Sequence, residues 1–325
     1  MKALALTKTG SIDHLEITDL PVPEPKEQEV RIKVKAAGLN PVDYKLSENG
    51  LPEWEFPHVP GLDVSGIIDH VPPGLSDWNE GDEVYGHISM TDNGALAEYV
   101  TAPADVLAPL PSGWSHEEAA SLPTAALTAY QSLYRKVTVQ KGQTILIQAG
   151  AGGVGGYAIQ LASLAGLHII TTCSPENNDY VTELGAHKTI DYQTENVTEA
   201  IHKYTKGRGV DIVLDTIGEK TATEAVDFLA FNGHLVCIAS LPDFTQYTPK
   251  TLAPSFHEVA LGFVYRSDDL EQRADLGRMA RELGAIASQG KIKPLPLEVV
   301  SLDETVSALH RIKDGHVRGK IVAAL

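Results

Sequence analysis

The sequence predicts an α/β protein in which a mostly-β, barrel-like module is followed by a doubly wound parallel sheet. Three observations predict it. An apolar strand pattern at 144–149 runs into Gly150, Gly152 and Gly155 and then into a helical stretch. Strand and helix patterns alternate from there to residue 240. Before residue 122 the chain instead carries short strand patterns separated by proline and glycine turns. Strand–helix alternation builds a parallel sheet with right-handed crossovers, whereas short strands separated by turns read as a Greek-key or barrel-like module.

The β-rich part reads as strands at 2–6, 29–37, 64–70, 83–87 and 95–100. Pro21, Pro23 and Pro25, and Gly61 and Gly66, punctuate the loops between them. From Ser121 the period changes. Helices are expected at 121–134, 153–165, 177–184, 196–205 and 220–231. Strands are expected at 144–149, 168–173, 188–191, 211–217 and 233–240, each close to continuously apolar, as in a sheet covered on both faces. A long helix at 270–288 ends before Pro294 and Pro296. A strand at 297–302, a helix at 303–313 and a strand at 320–324 then return to the first module.

Composition bounds the function. A chain of 325 residues is too long for one ordinary core and implies two domains. A net charge of −17, dispersed along the chain, provides no footprint for nucleic acid or an anionic membrane. No apolar run reaches the length of a membrane span, and Met1–Gly10 has no signal-peptide pattern. Two cysteines, Cys173 and Cys237, cannot build a disulfide scaffold or a cysteine-based zinc site. A reducing cytoplasm is the expected compartment.

The motif Gly150-Ala-Gly152-Gly153-Val154-Gly155 fits G-x-G-x-x-G between a strand and a helix, the context a dinucleotide fingerprint requires. The first glycine allows the tight turn, the second the approach of a pyrophosphate, and the third close packing of helix on strand. The helix beginning at Gly153 directs unpaired N–H groups at the phosphates.

Other motifs, in order, carry a resemblance. They are Ala37-Gly-Leu-Asn-Pro-Val-Asp-Tyr-Lys45, Pro57-His-Val-Pro-Gly-Leu-Asp-Val-Ser-Gly66, Gly81-Asp-Glu-Val-Tyr-Gly86 and Gly94-Ala-Leu-Ala-Glu-Tyr-Val100. Ala119–Tyr130, Gly185-Ala186, Ile190-Asp-Tyr192, Asp215-Thr-Ile-Gly218 and Arg318-Gly-Lys-Ile-Val322 complete them. Over essentially its whole length the chain resembles the medium-chain dehydrogenase/reductase superfamily, in its zinc-free quinone oxidoreductase and alkenal/enone reductase branch. The resemblance implies a GroES-like catalytic domain over 1–122 plus 295–325 and a Rossmann domain over 123–294. It also implies an active site in the cleft between them, and a homodimer or homotetramer. Zinc-dependent relatives carry Cys where this chain has Asn40, and Gly-His-Glu where it has Gly61-Leu62-Asp63, so no metal is expected. His58, His70 and His87 read as loop and surface residues.

NADPH is favoured over NADH, because no acid stands within the second Rossmann strand at Thr171–Ser174. Ser174, Asn177 and Tyr192 match the positions that relatives use for NADPH, although no Lys or Arg lies between His168 and Lys188. By the resemblance Lys45 contacts cofactor and substrate, and Tyr44 and Lys45 are the catalytic candidates. Asn40, Thr128, Gly150, Gly152, Gly153, Val154, Gly155, Ser174, Asn177, Tyr192, Gly218 and Arg318 join Lys45 as cofactor-binding candidates. Read by residue type alone, Asn40 serves equally as a loop amide, Lys45 as a solvated lysine, and Asp43 and Asp63 as loop-ordering carboxylates. The stretch 241–265 is expected to cover the pocket. The implied reaction is hydride transfer from the nicotinamide to a quinone or an α,β-unsaturated carbonyl. The alternatives are a carbonyl or alcohol dehydrogenase and a non-enzymatic NADPH-binding protein.

Overall fold

The computed structural model describes residues 1–325 except Ser76 and His316. Among the described residues, seven strands come first: β1 (Lys2–Leu6), β2 (Leu15–Asp19), β3 (Glu29–Leu39), β4 (Asp63–His70), β5 (Glu83–His87), β6 (Tyr99–Pro103) and β7 (Leu107–Pro109). Next come β8 (Thr144–Ile147), β9 (His168–Cys173), β10 (Lys188–Asp191), β11 (Val210–Asp215), β12 (Leu229–Cys237) and β13 (Ser255–Glu258). The tail supplies β14 (Leu297–Ser301) and β15 (Lys320–Ala324).

The chain divides into two compact units, Met1–Leu127 with Leu261–Leu325, and Thr128–Ala260. In the first unit the sheet runs β14-β15-β3-β4-β5-β7, with β6 also paired to β3. All its pairings are antiparallel except β14 with β15. This is the GroES-like module, and the tail joins it through Ile321–Ala324 against Ala36–Leu39.

The second unit is an all-parallel sheet in the order β10-β9-β8-β11-β12-β13. The order reverses direction at β8, the Rossmann arrangement in which ligands bind at the carboxyl ends beside the reversal. Ile145–Ile147, Ile169, Ile170 and Ile212–Leu214 are fully buried, as both faces of the sheet are covered.

Several elements differ from the sequence expectation. Helix Leu270–Ser288, expected in the Rossmann region, packs within the first unit. Tyr85 Oη donates to Ala280 O at 2.5 Å, Arg281 to Leu107 O at 2.8 Å, and Arg273 pairs with Asp105 at 2.8 Å. A Cβ on Gly277 would strike Asp105 O, so glycine is what allows this close approach. The helix expected over 220–231 stops at Glu224, continues as a 3-10 turn to Phe228, and gives way to β12 at Leu229. Asn232 (φ 62°) lies within β12 where its register against β11 shifts, between Leu229 and His234. β12 ends at Cys237, short of the expected Ser240.

Helix Pro41–Asn49 was not anticipated, although its start signal is present in the sequence: Asn at the N-cap, Pro at the first position and Asp at the third. His58 and His87, expected at the surface, are 4% and 1% exposed. His58 stacks on Trp54 with ring centroids 3.8 Å apart, and burial pushes it down to about 4.

Candidate active site

The glycine turn is built by exclusion. At Gly150 a Cβ would strike Thr171 Oγ1, and at Gly155 it would strike Ala149 O and lie 2.7 Å from Gly150 Cα. Neither position has room for a side chain. At Gly152 the nearest protein atom to a Cβ is Ala149 O at an ordinary 3.5 Å, with φ −80°. Protein packing therefore does not require glycine at 152.

The turn is fixed from both sides of the reversal point. Ala149 N–H donates to Thr172 Oγ1 at 3.0 Å and Gly150 N–H to Thr172 O at 3.0 Å, both on β9. Gln148 N–H donates to Leu214 O on β11 at 3.1 Å. Helix Gly153–Leu164 makes its first bond from Gly156 N–H to Gly152 O at 2.8 Å. The N–H groups of Gly153, Val154 and Gly155 thus precede the helical ladder and point from its positive end. This cradle is what a pyrophosphate needs.

The other nucleotide-side candidates gather along the same sheet edge. Ile147 is in register with Thr171 and Cys173 with Asp191, so Ser174 and Tyr192 leave adjacent strand ends. Asn177 Nδ2 donates to Ser174 Oγ at 3.0 Å, and Tyr192 is 53% exposed. Gly218 (φ 89°) lies in the turn after β11, where a Cβ would come within 2.7 Å of Ser240 Oγ. That turn is shaped by a group the sequence reading left without a role. The buried Asp215 carboxylate accepts from Ile217 N–H at 3.0 Å, Gly218 N–H at 2.6 Å and Thr221 Oγ1 at 2.8 Å. Thr128 is buried on helix Pro123–Gln131, and its carbonyl accepts from Ser132 Oγ at 2.7 Å. In the 241–265 stretch, Phe244 and Tyr247 pack edge-on to Phe256. Tyr265 belongs to the first unit, donating to His87 O.

In the first unit, Asn40 caps helix Pro41–Asn49 and is 3% exposed. Its Nδ2 donates to Asp63 Oδ2 at 2.8 Å, and its Oδ1 accepts from Lys320 Nζ at 2.5 Å. Lys320 also donates to Leu39 O at 2.9 Å and lies 3.7 Å from Asp63 Oδ2. Thr124 N–H and Oγ1 give Asp63 Oδ1 two more bonds, at 2.7 and 2.6 Å. Asn40, Asp63 and Lys320 therefore form a satisfied buried network around an ammonium group. His87, the register partner of Asp63, is buried, and burial lowers its pKa and favours the neutral ring.

Asp43 stands beside this network. Its Oδ2 accepts from Asn40 N–H at 2.7 Å, while Oδ1 is buried without a protein partner. Burial first, and then the Asp63 charge, push the Asp43 carboxyl up to about 7. The folded protein therefore binds a proton between about pH 4 and 7 that the unfolded chain releases, so stability falls as pH rises through that window. The loss is expected to be on the order of a few kcal/mol. Asp43→Asn should flatten the dependence when denaturant midpoints are compared from pH 5 to 8. An equally steep variant would show that another group titrates.

Tyr44 and Lys45 follow on the same helix. Tyr44 is half-buried near Glu48, which Lys313 pairs at 2.5 Å. Burial and then the Glu48 charge raise the Tyr44 phenol above its ordinary value, so it holds its proton. Lys45 and Arg318 are exposed, the latter in the turn before β15.

A family model described as "Alcohol dehydrogenase GroES-like domain" matches residues 26–112, and one described as "Zinc-binding dehydrogenase" matches 153–281. The quinone oxidoreductase of Coxiella burnetii has a solved structure that superposes with a TM-score of 0.84 at 31% identity, covering 100% of this chain and 99% of that one. A 2-methylene-furan-3-one reductase of Solanum lycopersicum is 34% identical, over 99% of this chain and 78% of the relative. The chain belongs to the medium-chain dehydrogenase/reductase superfamily, in its zinc-free quinone oxidoreductase branch. Within that superfamily, an NADPH-dependent alkenal/one oxidoreductase of Arabidopsis thaliana is 33% identical, over 99% of this chain and 79% of the relative. Among the described residues no helix is long and apolar enough to cross a membrane, and no three His, Cys, Asp or Glu side chains cluster as metal ligands.

Proposed function

We propose that this protein is a zinc-independent, NADPH-dependent oxidoreductase that reduces quinones or α,β-unsaturated carbonyls. The observation that carries the reading is the glycine turn at the sheet reversal. Gly150 and Gly155 are required by the protein's own packing, whereas a Cβ at Gly152 would meet no protein atom closer than 3.5 Å, which supports a ligand approaching there. The names of an alkenal/one oxidoreductase, a furanone reductase and a quinone oxidoreductase among the relatives support the substrate class and, in the first case, the cofactor.

When bound, the reduced nicotinamide supplies the hydride. The chain's part is to hold and orient. The N–H groups of Gly153, Val154 and Gly155 receive the pyrophosphate, and Ser174, Asn177 and Tyr192 form the adenosine end. Gly218 lets the turn after β11 come close to the nucleotide. The exposed Lys45 ammonium offsets negative charge on the acceptor oxygen. Tyr44, with its pKa raised, acts as a hydrogen-bond donor and not as an anion. Lys320 Nζ is bonded to Asn40 and close to Asp63, at the positions where zinc relatives carry a ligand Cys and the Glu of their Gly-His-Glu. An ammonium has donors only and binds no metal, which supports a reaction independent of zinc.

The test is oxidation of NADPH and of NADH by the full chain with a panel of quinones, enones and simple ketones. Quinone or enone turnover that prefers NADPH and survives a zinc chelator is the expected result. Turnover of simple ketones alone, turnover lost to the chelator, or no turnover with any acceptor would refute the proposal.

A further inference from the structure

Strand β13 is an edge strand four residues long, and it is pinned to β12 on both faces. The two strands run parallel, with Leu235 in register with Phe256 and Val236 with His257. On one face Phe256 packs against the core cluster that holds Leu235, and Phe244 and Tyr247 lie edge-on to it. On the other face the pin is polar. His234 Nδ1 and His257 Nε2 are 3.0 Å apart, with both rings half-buried and their centroids 5.3 Å apart.

A neutral imidazole offers one donor and one acceptor, so one N–H···N bond joins the pair. An imidazolium has donors at both nitrogens. With both rings protonated, two hydrogens and two positive charges face each other across the gap. The groups that bear on His257 oppose this state further. They are His234 on β12 and Lys136 at the end of the helical turn Ser132–Lys136. Glu258, next along β13, alternates to the opposite face, where it bears on Cys237. Burial first, and then the His234 and Lys136 charges, lower the His257 pKa. The unfolded chain therefore takes up a proton, from about pH 6.5 downward, that the strand pair resists. Stability of the pairing is lost as pH falls through that window, opposite in sign to the Asp43 effect.

We propose that His234 and His257 form an acid-released clasp on the edge of the parallel sheet: when both rings are charged, β13 separates from β12 and frees residues 238–254, which these strands bracket. That segment is largely exposed, and Asn232 N–H to Leu252 O at 2.8 Å is a backbone tie between it and β12. The Phe256 pin on the other face does not titrate, so the opening is local to this edge. Part of the stretch expected to cover the pocket lies in the freed segment, and that consequence rests on the proposed function.

Hydrogen exchange of the full chain, read peptide by peptide at pH 7.5 and 5.5 and corrected for intrinsic rates, tests the clasp. Protection over 229–258 should fall by about tenfold or more at the lower pH, as for an opening linked to one proton, while β8 and β9 stay within about twofold. His257→Gln and, separately, His234→Gln keep a hydrogen-bonding side chain that gains no charge. Either variant should lose most of the pH dependence. Equal protection over 229–258 at the two pH values in the parent overturns the inference. So does a drop of the parent's size in both glutamine variants, or an equal drop in β8 and β9, which marks unfolding of the whole unit. Exchange is read on the protein alone, so the outcome stands apart from the turnover test of the proposed function.

Discussion

Lys320→Met is expected to destabilise the first unit by about 3–5 kcal/mol, the usual consequence of removing one partner from a buried charge pair. In a chain of this size that lowers the melting temperature by roughly 10 °C. The side chain is 4% exposed and Asp63 0%, so water does not replace what is lost. Methionine fills a similar volume but leaves Asn40 Oδ1 and Leu39 O without their donor and Asp63 without its counter-charge. Burial lowers the Lys320 pKa, while Asp63 and then Asp43 raise it. Asp63 supplies the counter-charge, 3.7 Å from the ammonium. Asp63→Asn in the same background should recover part of the loss, because the stranded charge disappears. If Lys320→Met melts within 2 °C of the parent (roughly 1 kcal/mol or less), the network contributes little and the account of this cluster is wrong.

The glycine turn provides the second large effect, and it separates folding from binding. Gly155→Ala places a methyl against Ala149 O and Gly150 Cα, two backbone groups that cannot rotate away. The helix must shift off the strand, so both the melting temperature and dinucleotide affinity should fall, the latter by about a hundredfold or more given that misplaced phosphate donors lose their hydrogen bonds. Gly152→Ala meets nothing closer than 3.5 Å within the protein and has φ −80°. It should melt within about 1 °C of the parent, since an unstrained substitution whose methyl meets no clash is usually worth under about 0.5 kcal/mol. Its nucleotide affinity should nonetheless drop by about tenfold or more, as the methyl holds the phosphate off the N–H groups. Isothermal titration beside thermal melts on the two variants reads both quantities. Equal affinity of Gly152→Ala and the parent would show that the open side of the turn does not face the ligand.

The sequence shows what is local. The glycine spacing, the apolar strand before it and the helix after it lie within twenty residues, and the backbone conformations they allow are set by neighbours along the chain. The parallel sheet follows for the same reason, since each strand carries its own apolar signature and each helix its own period. Even the unanticipated helix at Pro41 had its start signal in Asn40, Pro41 and Asp43.

Contacts between distant segments were decided only in the folded chain. The network that engages Asn40 joins it to Asp63, 23 residues away, and to Lys320, 280 residues away. No periodicity encodes such a pairing, and by type alone each residue reads as a loop amide or a surface charge. The same holds for helix Leu270–Ser288, whose amphipathic pattern shows that it has a partner but not which one. Its anchors are Tyr85, Asp105 and Leu107, 195, 168 and 174 residues back. The sequence by itself determined the glycine turn and the sheet that carries it, because short-range sterics and apolar periodicity act within a segment. Which polar groups share a dry interior, and how far a proton on Asp43 is held, depended on the tertiary structure, because desolvation and charge pairing act through space between segments far apart in the chain.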